Sequence, residues 1–158
     1  MTVKTVTAAI ILKRNTVLIT RRGPGEKLAG FWEFPGGKIE EGETPQECLE
    51  RELLEELGVS STATEIIAES EYLYAHGAIR LLAILTTLRE TRFTLKVHDQ
   101  YSWAPLGTLL QYKLAPADIP IATMLVEKKN ELFAGFRRSA AVNSFHLDSD
   151  RTVKGDET

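Results

Sequence analysis

A single cysteine, Cys48, stands in the whole chain, which excludes a disulfide framework and suits a reducing compartment. It reads as a small buried hydrophobe. Three scattered histidines, His76, His98 and His146, together with that lone thiol give poor support for a zinc site. No apolar run reaches the ~18 residues that a membrane helix needs. The first run of the chain, residues 3–12, alternates like a strand and carries Lys4, so it does not read as a secretory leader. The expectation is a cytoplasmic protein with no membrane partner. An excess of positive charge is missing too. The formal net charge is −3, so the basic patch that binds a nucleic-acid polymer through its phosphates is not expected.

What is abundant is glutamate, in one place. Eight of the seventeen residues from Glu40 to Glu56 are glutamate, against a single arginine, Arg51. Thr44-Pro45-Gln46-Glu47 is a capping box with proline at the first helical position, and Gly58 supplies a stop, so a helix is predicted over 45–57. At about 100° per residue, Glu52, Glu55 and Glu56 share one face, while Leu49, Leu53, Leu54 and Leu57 fill the adjacent arc. Like charges three and four apart each cost a helix roughly a few tenths of a kcal/mol. A solvated acidic face is the usual fate of a charge run. A cluster this ordered predicts instead a bound divalent cation, and glutamate oxygens suit Mg²⁺ or Mn²⁺.

Residues 37–59 match the Nudix signature, G-x5-E-x7-R-E-U-x-E-E-x-G-U with U a bulky aliphatic, at every position. The matching residues are Gly37, Glu43, Arg51, Glu52, Leu53, Glu55, Glu56, Gly58 and Val59. The chain thus resembles the Nudix hydrolases. That resemblance implies an α/β chain of the α+β kind, an α/β/α sandwich with a mixed, mostly antiparallel sheet between helices. It implies cleavage of a nucleoside diphosphate linked to a further group. It also implies that Glu52, Glu55 and Glu56 bind metal together with the carbonyl oxygen of Gly37, that Glu43 supports the site, and that Arg51 orients a glutamate by a salt bridge.

Residues 19–22 and 32–38 look like MutT-type nucleotide-pool sanitisers, and residues 114–120 look like CTP pyrophosphohydrolases, over roughly residues 6–126. In that likeness Phe34 packs near the base, Arg22 contacts the nucleotide, and Asp118 falls where MutT has a base-reading asparagine. An ionised carboxylate only accepts hydrogen bonds, so Asp118 favours an amino-bearing edge such as cytosine, or the N–H edge of guanine. Its plainer role is to cap the helix it precedes. Lys38 touches a phosphate or is ordinary surface. The segment Pro35-Gly36-Gly37-Lys38 is not a Walker A loop, because Trp32 stands where that motif needs glycine and Ile39 where it needs Ser or Thr. The general base stays open. Six residues before Trp103, where relatives carry a glutamate, this chain has Val97. Either Asp99 supplies the oxygen from a shifted loop or a helix glutamate acts alone. His98 is a third proton acceptor in principle, or an exposed loop histidine without a role.

The expected activity is Mg²⁺-dependent hydrolysis of (deoxy)nucleoside triphosphates, oxidised or methylated ones included, to a monophosphate and pyrophosphate by water attack at the β-phosphorus. The alternatives are a hydrolase of another diphosphate, such as ADP-ribose or a dinucleotide polyphosphate, and a nucleotide-sensing module without turnover. The expected partners are the nucleotide and, at most, a second copy of the chain in a homodimer. Along the sequence, strands are predicted over 3–12 and 16–20 as a hairpin, over 32–34, over 64–74 and 79–88 as a second hairpin, and over 101–104. A helical turn follows at 106–110 and a second long helix at 119–136, opened by Asp118 with Pro120 in its first turn. Trp32, Phe93 and Trp103 are read as core fillers. One domain over 1–138 and a polar, loosely packed tail over 139–158 complete the expectation.

Overall fold

The computed structural model of the chain describes residues 2–129 and 131. Four strands, β1 (Val3–Ile10), β2 (Leu12–Lys13), β3 (Thr16–Arg22) and β4 (Trp32–Glu33), precede the helix α1 (Pro45–Leu57). Then come β5 (Ser61–Tyr74), β6 (Gly77–Leu88) and β7 (His98–Pro105). Two short 3-10 segments, Leu106–Gln111 and Pro116–Asp118, lead to α2 (Ile119–Glu127). The first helix has its expected bounds because its ends are specified locally. Thr44 Oγ1 accepts from the Glu47 N–H at 3.1 Å, and Glu47 Oε1 accepts from the Thr44 N–H at 2.9 Å. Gly58 closes the helix in the left-handed region at φ 69°. The second helix ends earlier than expected, at Glu127 with Lys128 as its cap, and of the expected continuation residues 130 and 132–136 lie outside the described residues, as does the whole tail over 139–158.

The expected hairpin between 3–12 and 16–20 exists only at its end. Leu12 and Lys13 turn back on Val17 and Thr16. The preceding eight residues instead pair in parallel with β6, from Val3 opposite Ala78 to Ile10 opposite Leu85. The chain therefore crosses from one sheet, β1-β6-β5, to a second, β2-β3-β4 with β7 also on β3. β5 starts three residues earlier than the pattern indicates. Side chains of α1 hold its first turns: Glu50 accepts from the Ala63 N–H and Gln46 donates to the Thr64 carbonyl, both at 2.9 Å.

Alternation along β1 and β3 then builds two cores. Ala8, Ile10, Val17 and Ile19 face Ile121, Ala122 and Leu125 of α2. Ala9, Ile11 and Leu18, with Ile84, face Leu49, Leu53 and Leu57 of α1. The strands lie between the helices, as in the α/β/α sandwich that the resemblance implies. Trp32 is buried in the α2-side core, Phe93 and Trp103 pack against the α1-side core, and Cys48 is buried in α1. Among the described residues, no helix is long and apolar enough to cross a membrane.

Candidate active site

Arg51 gathers the acidic face of α1. Its Nε and Nη2 donate to the two oxygens of Glu43 at 2.6 and 3.0 Å, and its Nη1 donates to Glu52 at 2.9 Å and to Glu55 at 3.2 Å. The bond to Glu43 first, and then that to Glu52, raise the guanidinium further above its ordinary range, against the opposing effect of burial. In return Arg51, with the Glu40 N–H, holds the Glu43 carboxyl down at about 2. The loop before the helix lies on β1. The Gly37 carbonyl accepts from the Thr7 N–H at 2.8 Å and the Pro35 carbonyl from the Ala9 N–H at 2.7 Å. Neither glycine of this loop has space for a side chain. A Cβ on Gly36 would overlap the Thr7 carbonyl, and one on Gly37 would overlap the Glu52 carboxylate. Glu52 thus rests directly on the loop backbone, where burial raises its carboxyl while Arg51 opposes the shift.

Glu56, one residue beyond Glu55, points deeper. Burial pushes its carboxyl up to about 8, with the charges of Glu33 and Glu52 adding to the effect and Arg22 opposing it. Its Oε1 is buried and has no hydrogen-bond partner among the described residues. Glu55 sits at the rim, with 58% of its side chain exposed.

The strands supply the facing wall. Arg22, at the end of β3, donates through Nη1 to both oxygens of Glu33 at 3.1 Å. His98 Nε2 lies 2.8 Å from Glu33 Oε2, and the imidazole is fully buried rather than an exposed loop group. Asp118 stands at the start of α2 without capping it. Its Oδ2 instead accepts the Phe34 N–H at 2.9 Å, which joins the head of α2 to the end of β4. Burial raises the Asp118 carboxyl well above the usual carboxylate range, and the neighbouring Glu33 charge raises it further. The Phe34 ring belongs to the α2-side core and is 3% exposed. Asp99 is engaged elsewhere: both its oxygens accept from Arg21, at 2.8 and 2.9 Å, which holds its carboxyl below the usual range. Lys38 contributes its carbonyl, which accepts from Arg51 Nη2 at 3.3 Å.

The NUDIX domain profile matches residues 1–125. The chain belongs to the Nudix family. It is 38% identical over 118 residues to the CTP pyrophosphohydrolase of Escherichia coli K12, an alignment that covers 73% of this chain and 86% of that one. The 8-oxo-dGTP diphosphatase of the same organism is 34% identical over 113 residues, covering 72% and 88%. Among solved structures, the solution structure of the E. coli ORF135 protein superposes with a TM-score of 0.70 at 34% identity, over 82% of this chain and 92% of that one. The chain is accordingly a Nudix hydrolase, an enzyme acting on pyrophosphate bonds.

Nudix hydrolases generally use divalent metal ions. Among the described residues, no three carboxylate, imidazole or thiol side chains converge closely enough to hold an ion in their present rotamers. Arg51 instead holds Glu52 and Glu55 to itself. The chemistry of the donor set nevertheless fits a hard cation. It is all oxygen, its buried members repel one another, and Glu56 Oε1 has no hydrogen-bond partner among the described residues.

Of the predicted residues, the Nudix helix and its loop bring together Gly37, Glu43, Arg51, Glu52, Glu55 and Glu56. The strands add Arg22, and Asp118 lies next to the Arg22–Glu33 pair. Glu33 is a site residue that sequence reasoning passed over, and His98, weighed there as a proton acceptor or an exposed loop residue, is instead buried against it. Glu33 had a signal, since a charged residue between Trp32 and Phe34 in a strand must point away from the face those aromatics fill. His98 had none, because a register shift turns it inward.

Proposed function

We propose that this Nudix hydrolase splits (deoxy)nucleoside triphosphates, oxidised or otherwise modified ones included, into a nucleoside monophosphate and pyrophosphate, with Mg²⁺ as its cation. The observation that carries the metal reading is the Glu56 carboxylate, pressed by Glu33 and Glu52 and with one buried oxygen left without a hydrogen-bond partner among the described residues. Glu52, Glu55, Glu56 and the Gly37 carbonyl would hold the ion. Once bound, a divalent cation neutralises phosphate charge and acidifies a coordinated water. The chain's own residues then divide the remaining work. Arg51 and Glu43 would orient Glu52, and the proton of the attacking water is assigned to Glu56, a reading supported by the engagement of both Asp99 oxygens with Arg21. Arg22 supplies positive charge on the nucleotide side, and Lys38, at the edge of the same loop, is assigned to the phosphates.

For the base, the reading rests on Asp118, which stands beside the Arg22–Glu33 pair and is tied to the backbone of Phe34. In its ionised form Asp118 would only accept hydrogen bonds, which favours an amino or N–H edge, as on cytosine or guanine. The relatives named for CTP and 8-oxo-dGTP support that choice. A pyrophosphate-release screen with Mg²⁺ over normal, oxidised and methylated nucleotides tests it. The expected result is strong turnover confined to cytosine or oxidised-guanine triphosphates. Equal rates on every base would remove the role of Asp118, and turnover of ADP-ribose alone would overturn the triphosphate assignment.

A further inference from the structure

His98 reaches the site through an irregularity in strand pairing. From Pro105 back to Gln100, β7 pairs with β3 residue for residue, ending with Gln100 opposite Arg21. The next pair is His98 with Arg22, so Asp99 is an extra residue on β7. One extra residue exchanges the two faces of a strand. Trp103 and Tyr101 pack on the α1 side, and unbroken alternation would have turned Asp99 to that side as well. The bulge sends Asp99 outward to Arg21 and brings His98 inward to Arg22 and Glu33.

The imidazole meets a closed set of partners. Its side chain is 0% exposed, Nε2 is 2.8 Å from Glu33 Oε2, and Nδ1 has no hydrogen-bond partner among the described residues. Glu33 also receives Arg22 Nη1 on both oxygens at 3.1 Å. An ionised carboxylate only accepts, so the proton of a neutral ring belongs on Nε2. A second proton on Nδ1 would bury a charged N–H with no acceptor, a costly arrangement. Arg22, Glu33 and a neutral His98 then form a cluster whose formal charges cancel.

Glu33 sits where the two halves of the site meet. After burial itself, its charge is the largest influence raising both Glu56 on α1 and Asp118 at the head of α2. It also directly precedes Phe34, whose N–H is bound by Asp118. We infer that His98 is a positioning residue: as an uncharged Nε2–H donor it fixes, together with Arg22, the carboxylate of Glu33 beside Glu56 and Asp118. His98's consequence for activity rests on the nucleotide reading above, whereas its tautomer does not.

Long-range proton–nitrogen spectra of the ¹⁵N-labelled full chain test the tautomer, with His98 assigned by the signal lost in His98→Gln. The expected pattern has Nε2 protonated and Nδ1 bare at neutral pH. An Nδ1–H tautomer or a doubly protonated ring would overturn the inference. Pyrophosphate release with Mg²⁺ tests the positioning. His98→Ala should lower kcat/KM by about tenfold to a hundredfold, the scale of a lost charge-assisted bond behind a functional group. His98→Gln, whose amide nitrogen can occupy the place of Nε2, should recover most of that loss, while the shorter His98→Asn should not. Full activity in His98→Ala, or His98→Gln as impaired as His98→Ala, would contradict the inference. If the alanine variant fails to fold, the Gln–Asn contrast and the wild-type spectrum still decide. If the wild type turns over no nucleotide, the spectrum alone judges His98.

Discussion

Adding one methyl group to either of two neighbouring glycines should damage different properties. At Gly36 the new Cβ meets the carbonyl of Thr7, part of a strand that cannot give way, so Gly36→Ala should cost about 1–3 kcal/mol of stability. At Gly37 it meets the carboxylate of Glu52, the end of a side chain that can move. Gly37→Ala should therefore keep most of its stability while losing activity by about a hundredfold, the usual effect of displacing a catalytic group by an ångström. Chemical denaturation and pyrophosphate release on both variants check this, and the same loss profile in both would refute it. Glu56 gives a second test at this scale. The folded state keeps a proton up to about 8 that the unfolded chain releases near 4.5. Stability from this group is therefore greatest below 4.5 and falls as pH rises toward 8. In metal-free protein, Glu56→Gln should gain Tm over wild type progressively across that interval. Parallel Tm curves from pH 5 to 8 would show that Glu56 is not strained by burial.

At the scale of elements, α1 is specified by its own sequence and β7 is not. Thr44, Pro45, Glu47 and Gly58 mark the helix ends within the segment itself, and each does so in the structure. Thr44→Ala should cost about 1 kcal/mol, or about 2–4 °C in Tm for a domain of this size, read by calorimetry. An unchanged Tm would mean that the helix is held by its packing alone. In β7 the residue types say strand, but which side chains face α1 depends on Asp99 being surplus to the pairing with β3. A bulge is a property of two strands, and neither sequence announces it. For that reason His98 reads from sequence as a loop residue and Asp99 as a candidate base, although the fold buries the first and ties the second to Arg21. The position of Asp118 is legible from its place before Ile119-Pro120, yet its partner, the Phe34 N–H, is 84 positions away and invisible until the chain has folded.

For the whole molecule, the signature segment alone carries the family, the sandwich and the carboxylates of the helix, because those residues are neighbours in sequence as well as in space. The parallel pairing of β1 with β6 and the passage of the chain between two sheets at Ile11 are long-range consequences that local patterning does not encode. The central claim is that this assembly concentrates carboxylates so that a divalent cation can offset them and admit a polyphosphate. Calorimetric titration of Mg²⁺ into the full chain, with and without a non-hydrolysable nucleoside triphosphate, tests it most directly. The prediction is saturable binding to wild type that strengthens with the nucleotide present and weakens at least about tenfold in a Glu52→Gln, Glu56→Gln double variant. No Mg²⁺ binding under either condition, or equal binding by the double variant, would contradict it.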